Sequence, residues 1–124
     1  MTKYKKYQDY VVKDGKHIGE YEELYQDFDD PWQQNKKEKF ASEKAVCINL
    51  IKLFDRKKII DIGCGLGHLT NRISQVAPYS LGIDIAPTAI KKAKEKYKNC
   101  NFEVGKLSDF KLIREFKPDC IVMA

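Results

Sequence analysis

The sequence predicts an α/β fold: a parallel sheet flanked by helices, with a helical N-terminal extension before it. Three observations predict it. Short apolar runs at 58–62, 81–84, 101–104 and 120–124 alternate with helical segments, the pattern of a parallel sheet joined by right-handed crossovers. The first run breaks into glycines at alternate positions, Gly63, Gly65 and Gly67, before a helical segment begins. Prolines punctuate the helices. Pro78 stops one, Pro87 opens the next where a missing N–H costs nothing, and Pro118 follows a third.

Residues 1–34 form the extension. Val11 to Ile18 reads as a small hairpin around the Asp14-Gly15 turn, with an irregular arm as an equal alternative. Glu20 to Phe28 suits a short helix with Tyr21, Leu24, Tyr25 and Phe28 on one side. Residues 35–124 form the sheet domain. Its first helix spans about 35–54, with Phe40, Cys47, Leu50, Ile51 and Phe54 as the apolar face. Strand one is Lys58 to Ile62, and a helix from about Leu66 to Ala77 follows. Strand two, Leu81 to Asp84, leads to a helix from Pro87 to about Tyr97 that aligns Ile90, Ala93 and Tyr97. Strand three covers Asn101 to Val104, a short helix Lys111 to Phe116, and strand four Cys120 to Ala124.

Composition excludes several classes. The 124 residues allow one domain, and a third of them are charged. No apolar stretch approaches the ~20 residues of a membrane helix. Met1-Thr2-Lys3-Tyr4-Lys5-Lys6 has no apolar core behind it, so no secretory signal is expected and the cytoplasm is the expected compartment. Cys47, Cys64, Cys100 and Cys120 contain no C-x-x-C pair, so free thiols and no metal site are expected. The net charge of +5 is mild, and its densest run, Lys91 to Lys98, reads as a solvated helix face. No aromatic–basic interleaving accompanies it, and nucleic acid is not expected as a partner.

The segment 58–70 carries the chemistry. Glycine in a turn permits positive φ and lets backbone approach a ligand with no Cβ between. The spacing is G-x-G-x-G with Asp61 two positions before Gly63, not the G-x-G-x-x-G of dinucleotide sites. A buried acid beside such a turn suits a ligand carrying an ammonium or other cation and suits a pyrophosphate poorly. Asp84 ends the second strand seventeen residues after Gly67, where an acid accepts hydrogen bonds from ribose hydroxyls.

Asp61-Ile62-Gly63-Cys64-Gly65-Leu66-Gly67 resembles, position for position, the first motif of the class I S-adenosylmethionine-dependent methyltransferases. The resemblance implies a Rossmann-like sheet, S-adenosylmethionine as cofactor, and methyl transfer as the reaction. It places Asp61 and the glycine loop, with Cys64 inside it, at the methionine end of the cofactor. Amides and carbonyls of Gly63 and Gly65 would take the amino and carboxylate groups. Asp84 would hold the ribose and Ile85 the adenine. Similar proteins often show Gly-Asp where this chain has Gly105-Lys106, and lysine cannot accept the adenine amino group. Either the Leu107 backbone acts alone or Asp109 reaches in; Asp109 also suits a helix N-cap.

Asp29-Asp30-Pro31-Trp32 resembles a segment of small-molecule N-methyltransferases, which would place Trp32 over cofactor or acceptor; an anchor packed on the sheet is equally consistent. His17 and His68 are ambiguous, and a lone histidine is more often a surface residue. The family has a seven-stranded sheet, and strand four is the last that this sequence reaches. The expectation is therefore an incomplete methyltransferase fold, the cofactor-binding N-terminal half of an enzyme acting on a small molecule or glycan. A non-catalytic S-adenosylmethionine-binding or interaction fragment is the alternative. Strand four would present an open edge, favouring self-association, and no general base is assigned.

Overall fold

The computed structural model describes residues 1–34 and 42–124. A 3₁₀ turn at Tyr7–Tyr10 precedes a hairpin of β1 (Val12–Lys13) and β2 (Lys16–His17). Asp14 and Gly15 both have positive φ, 50° and 73°, as a tight two-residue hairpin turn requires, so the hairpin reading holds over the irregular arm. Helix α1 (Tyr21–Asp27) follows, then α2 (Ser42–Leu53), β3 (Lys58–Ile62), α3 (His68–Ser74), β4 (Tyr79–Asp84), α4 (Pro87–Lys96), β5 (Phe102–Val104), α5 (Phe110–Phe116) and β6 (Cys120–Val122).

The main sheet has the order β5-β4-β3-β6, and every pair is parallel. The chain winds outward from β3 through β4 to β5, then crosses back to place β6 on the other side of β3. That reversal makes a switch point at the carboxyl end of β3, where open parallel sheets bind ligands.

Pleating sorts the side chains. Ile59 points to a cluster with Ile48, Ile51, Leu69, Ile73 and Val122, under α2 and α3. Ile60 points the other way and packs with Leu81 and Ile83 under α5. Register places Val122, Asp61, Gly82 and Phe102 in one row across the sheet. Phe102 fills the space that Gly82 leaves, beneath Cys64, Ile90 and Ala93.

Several boundaries differ from the sequence reading. The helix expected from residue 35 is described from Ser42, and Phe40 lies outside the described residues. Its core face is Ile48 and Ile51, whereas Leu50 and Phe54 are 47% and 61% exposed. The segment is apolar on more than one side, so periodicity alone does not say which side meets the sheet. Helix α3 starts at His68 rather than Leu66, because Gly67 at φ 84° is left-handed and cannot continue a helix. Strand β6 ends at Val122.

Among the described residues β6 pairs with β3 alone. Val46, Leu50, Cys47, Cys120 and Met123 line an apolar hollow of ≈590 Å³ between α2 and β6. Ile121, on the other face of the strand, is half exposed. No helix among the described residues is long and apolar enough to cross a membrane.

A Cβ at Gly82 would lie 2.7 Å from Thr70 Oγ1, 2.8 Å from the Phe102 ring and 3.0 Å from Cys64 Sγ. Gly82→Ala should therefore lower unfolding free energy by about 1–3 kcal/mol through overpacking. Urea denaturation reads this directly, and an unchanged midpoint would mean the row has slack.

Candidate functional site

The glycine turn between β3 and α3 is held by its own backbone. Gly63 N and Cys64 N both donate to Ile83 O, at 2.9 and 3.0 Å. Gly67 N donates to Cys64 O at 3.0 Å. Gly65 N donates to Asp84 Oδ2 at 2.8 Å. The amides of Gly63, Cys64, Gly65 and Gly67 thus bond within the protein, where those of Gly63 and Gly65 were expected to serve a ligand. Gly67 has a second reason to be glycine, since a Cβ there would meet the Phe102 ring at 2.6 Å.

Asp84 is the pivot. Its Oδ2 takes the Gly65 amide, and its Oδ1 takes the Ala86 amide at 2.9 Å. Asp84 is 8% exposed and lines a cleft of ≈280 Å³. Ile62 and Gly63 form the floor beside it, and Gly105, Lys106 and Leu107 form one wall. Ile85 projects at the rim, half exposed. The opposite wall comes from the N-terminal extension: Tyr21 and Tyr25 of α1, with Trp32 beyond it. The structure thus brings Gly63, Asp84, Ile85, Lys106, Leu107 and Trp32 together at one cleft.

Three expected site residues lie elsewhere. Asp61 is 3% exposed beneath the loop, where it accepts a 2.7 Å hydrogen bond from Thr70 Oγ1. It does not line the cleft, because strand pleating sends it to the face under α3. Cys64 turns its thiol into the core with Ile90, Ala93 and Phe102, and burial pushes its pKa up. Gly67 packs against Phe102 and caps α3.

Asp109 caps α5, accepting from Leu112 N at 3.4 Å, and lines a neighbouring hollow with Ile85 and Lys106. His68 is not a surface residue. It is 1% exposed, and its Nδ1 lies 2.5 Å from the Tyr97 hydroxyl. All four cysteines are free.

Sequence reasoning missed the walls contributed by Tyr21 and Tyr25. Their apolar stripe was visible, but a stripe does not say that one flank of it overlooks a cleft. It also missed Thr70, whose hydroxyl supports Asp61.

A family model described as "Methyltransferase domain" matches residues 53–123, more than half of the chain. The 23S rRNA (uracil(1939)-C(5))-methyltransferase RlmD of Francisella tularensis subsp. novicida is 43% identical over 54 residues, covering 44% of this chain and 12% of that protein. Phosphoethanolamine N-methyltransferase 1 of Caenorhabditis elegans is 31% identical over 68 residues, covering 52% of this chain and 14% of that protein. The chain thus spans a small part of the length of these relatives. DesVI of Streptomyces venezuelae superposes with a TM-score of 0.64 at 18% identity, over 81% of this chain and 42% of that one, a likeness of fold.

Burial raises the Asp61 pKa from 3.8 to about 6, with the Asp84 charge adding to the rise and the Thr70 hydroxyl opposing it. Between those values the folded protein binds a proton that the unfolded chain has released. The group therefore favours folding increasingly as pH falls from 6 towards 4, and opposes it above that window. The span corresponds to about 3 kcal/mol as an upper bound. Asp61→Asn can still accept the Thr70 hydrogen bond and does not ionise. It should match the parent near pH 4 and gain relative stability up to neutral pH, by as much as about 3 kcal/mol. Denaturation midpoints at pH 4 and 7.5 measure it. A pH-independent difference would show that Asp61 ionises normally.

Proposed function

The chain belongs to the class I S-adenosylmethionine-dependent methyltransferases, and on that premise we propose that it supplies the cofactor-binding half of an enzyme that methylates a small molecule or glycan. One observation carries the reading: Asp84, its carboxylate fixed by two backbone amides, lines a cleft at the sheet's switch point.

The residues present fit this cofactor. Each Asp84 oxygen accepts one amide and retains capacity for a ribose hydroxyl. Ile85 offers a half-exposed apolar surface for a purine face. A Cβ at Gly63 would meet nothing within 4 Å, so that backbone is open to close approach. Lys106 cannot accept from an adenine amino group, which leaves that edge to backbone at Lys106 and Leu107. Asp109 is engaged as a cap.

When bound, S-adenosylmethionine supplies a methyl group already activated on a sulfonium. The chain's own contribution is orientation, which can be worth roughly 7–11 kcal/mol, and exclusion of water by the aromatic wall. That wall supports the acceptor class. Tyr21, Tyr25 and Trp32 face the cleft, and Lys106 is the one cation lining it among the described residues. A second reading, an RNA acceptor, is favoured by the similarity to an rRNA methyltransferase. Label from methyl-labelled S-adenosylmethionine should enter an amine or sugar fraction of a metabolite extract; label recovered in RNA would replace the first reading by the second.

Calorimetry should show binding of S-adenosylhomocysteine and weaker or no binding of NAD. Comparable or tighter NAD affinity would sink the cofactor assignment. Asp84→Asn should weaken S-adenosylhomocysteine at least tenfold, since charged hydrogen bonds contribute about 1.5–3 kcal/mol each. Asp109→Ala should have the smaller effect. The reverse ranking would move the adenosine pocket to the hollow beside α5.

A further inference from the structure

Helix α2 has two apolar faces, and only one of them is covered by the described residues. Ile48 and Ile51 enter the core. Val46, Leu50 and Phe54 recur four positions apart, which makes them neighbours along another side of the helix. They are 56%, 47% and 61% exposed. Phe54 N donates to Leu50 O at 3.0 Å, so helical bonding runs on to this last ring. With Cys120 and Met123 the three side chains line the hollow between α2 and β6.

The two ends of the stripe carry opposite charges. Glu43 stands in the first turn of α2, three positions before Val46. Arg56 follows the helix, two positions after Phe54. Asp55 has a φ of 50° and Arg56 N donates to Ile51 O at 3.0 Å, a closure that ends a helix and fixes the residue after it. Glu43 and Arg56 are exposed, and both line the hollow. Arg56 also lies near Asp119, whose oxygens accept from the amides of Lys57 and Lys58. A guanidinium has five donors, more than one carboxylate can use.

Beside the stripe the sheet is open, since β6 pairs with β3 alone among the described residues. On the other face of the strand, half-exposed Ile121 adjoins Leu107 and Ile113. An edge strand with apolar side chains on both faces is a template for another chain. The stripe itself says which chain. Turning a second α2 end for end sets Phe54 against Val46, Leu50 against Leu50, and Arg56 against Glu43. The surface is thus complementary to itself, as a two-fold interface demands. The exposed parts of Val46, Leu50, Phe54, Ile121 and Met123 amount to on the order of 500 Å² per copy, so two copies reach about the 1,000 Å² that a specific interface needs.

We propose that this surface is covered by a second copy of the same chain, related by a two-fold axis normal to the sheet. The axis sets β6 antiparallel to the β6 of the other copy and extends the sheet across both. It lays the two α2 helices side by side in one layer, with Leu50 at the axis and Glu43 of each copy against Arg56 of the other. Neither α2 nor β6 lines the cleft, so the pairing does not depend on which cofactor binds there.

Sedimentation equilibrium of the full chain over a concentration series should give a monomer–dimer equilibrium with no larger species. Glu43→Arg or Arg56→Glu alone places like charges together at both ends of the interface, and each should raise the dimer dissociation constant about tenfold or more. Combined in one chain, the two exchanges restore the pairing, and the constant should return to within about threefold of the parent. Leu50→Glu puts two carboxylates at the axis and should abolish the dimer. Thermal melts identify any variant that fails to fold, and the charge exchange carries the test if Leu50→Glu is unstable. A chain that stays monomeric throughout the series would overturn the proposal, leaving the surface bare or to a different polypeptide. So would species that grow with concentration without limit, the mark of a head-to-tail contact. A double exchange no better than either single one would overturn it as well.

Discussion

The Asp84 carboxylate ties together the parts of this molecule that matter for its chemistry. One oxygen holds Gly65 in the loop after β3, and the other holds Ala86 at the entry to α4. Charged acceptors make stronger bonds to backbone N–H groups than neutral ones do. The carboxylate therefore fixes the loop, the strand end and the helix start relative to one another. Asp84 is buried and lines the cleft.

Beneath that pivot lies a second constraint, one of space. The row Val122, Asp61, Gly82, Phe102 crosses the sheet directly under the glycine turn. Phe102 reaches across Gly82 and comes up under Gly67, so two glycines from different elements make room for one ring. Asp61 fits in the same row because the Thr70 hydroxyl answers it. Burial raises its pKa, and the nearby Asp84 charge adds to the rise. Asp61 thus lies buried beneath the glycine turn, bonded to Thr70.

The arm completes the picture from the other side. Helix α1 lies on α4 through Glu22 with Thr88 and through Lys92 with the last turn of α1. It brings an aromatic wall to a cleft whose other surfaces come from residues 62–107. The opposite flank of the sheet is different in kind. There β6 leaves its outer backbone and the apolar hollow against α2 without cover from the described residues. The cleft side of the domain carries aromatic and polar groups, and the β6 side is apolar among the described residues.

The local pattern of the sequence was enough for much of this. Alternating strands and helices, the proline stops, the Asp14-Gly15 turn and the Asp61-to-Gly67 motif are properties of residues close together in the chain. They pointed to the parallel sheet and the family and offered the hairpin as one of two readings, and five residues they singled out, Gly63, Asp84, Ile85, Lys106 and Leu107, line one cleft. Contacts between distant residues were not legible there. Sequence spacing could not tell that Asp61 and Cys64 point beneath the loop, that Leu50 and Phe54 turn away from the core, or that His68 is buried against Tyr97. It could not show that Tyr25 and Gln34 meet over Gly65, forty or thirty-one positions along the chain. A residue's type and periodicity decide which element it joins. Which face of that element meets which neighbour depends on pleat, register and helix docking, and only the folded chain sets those.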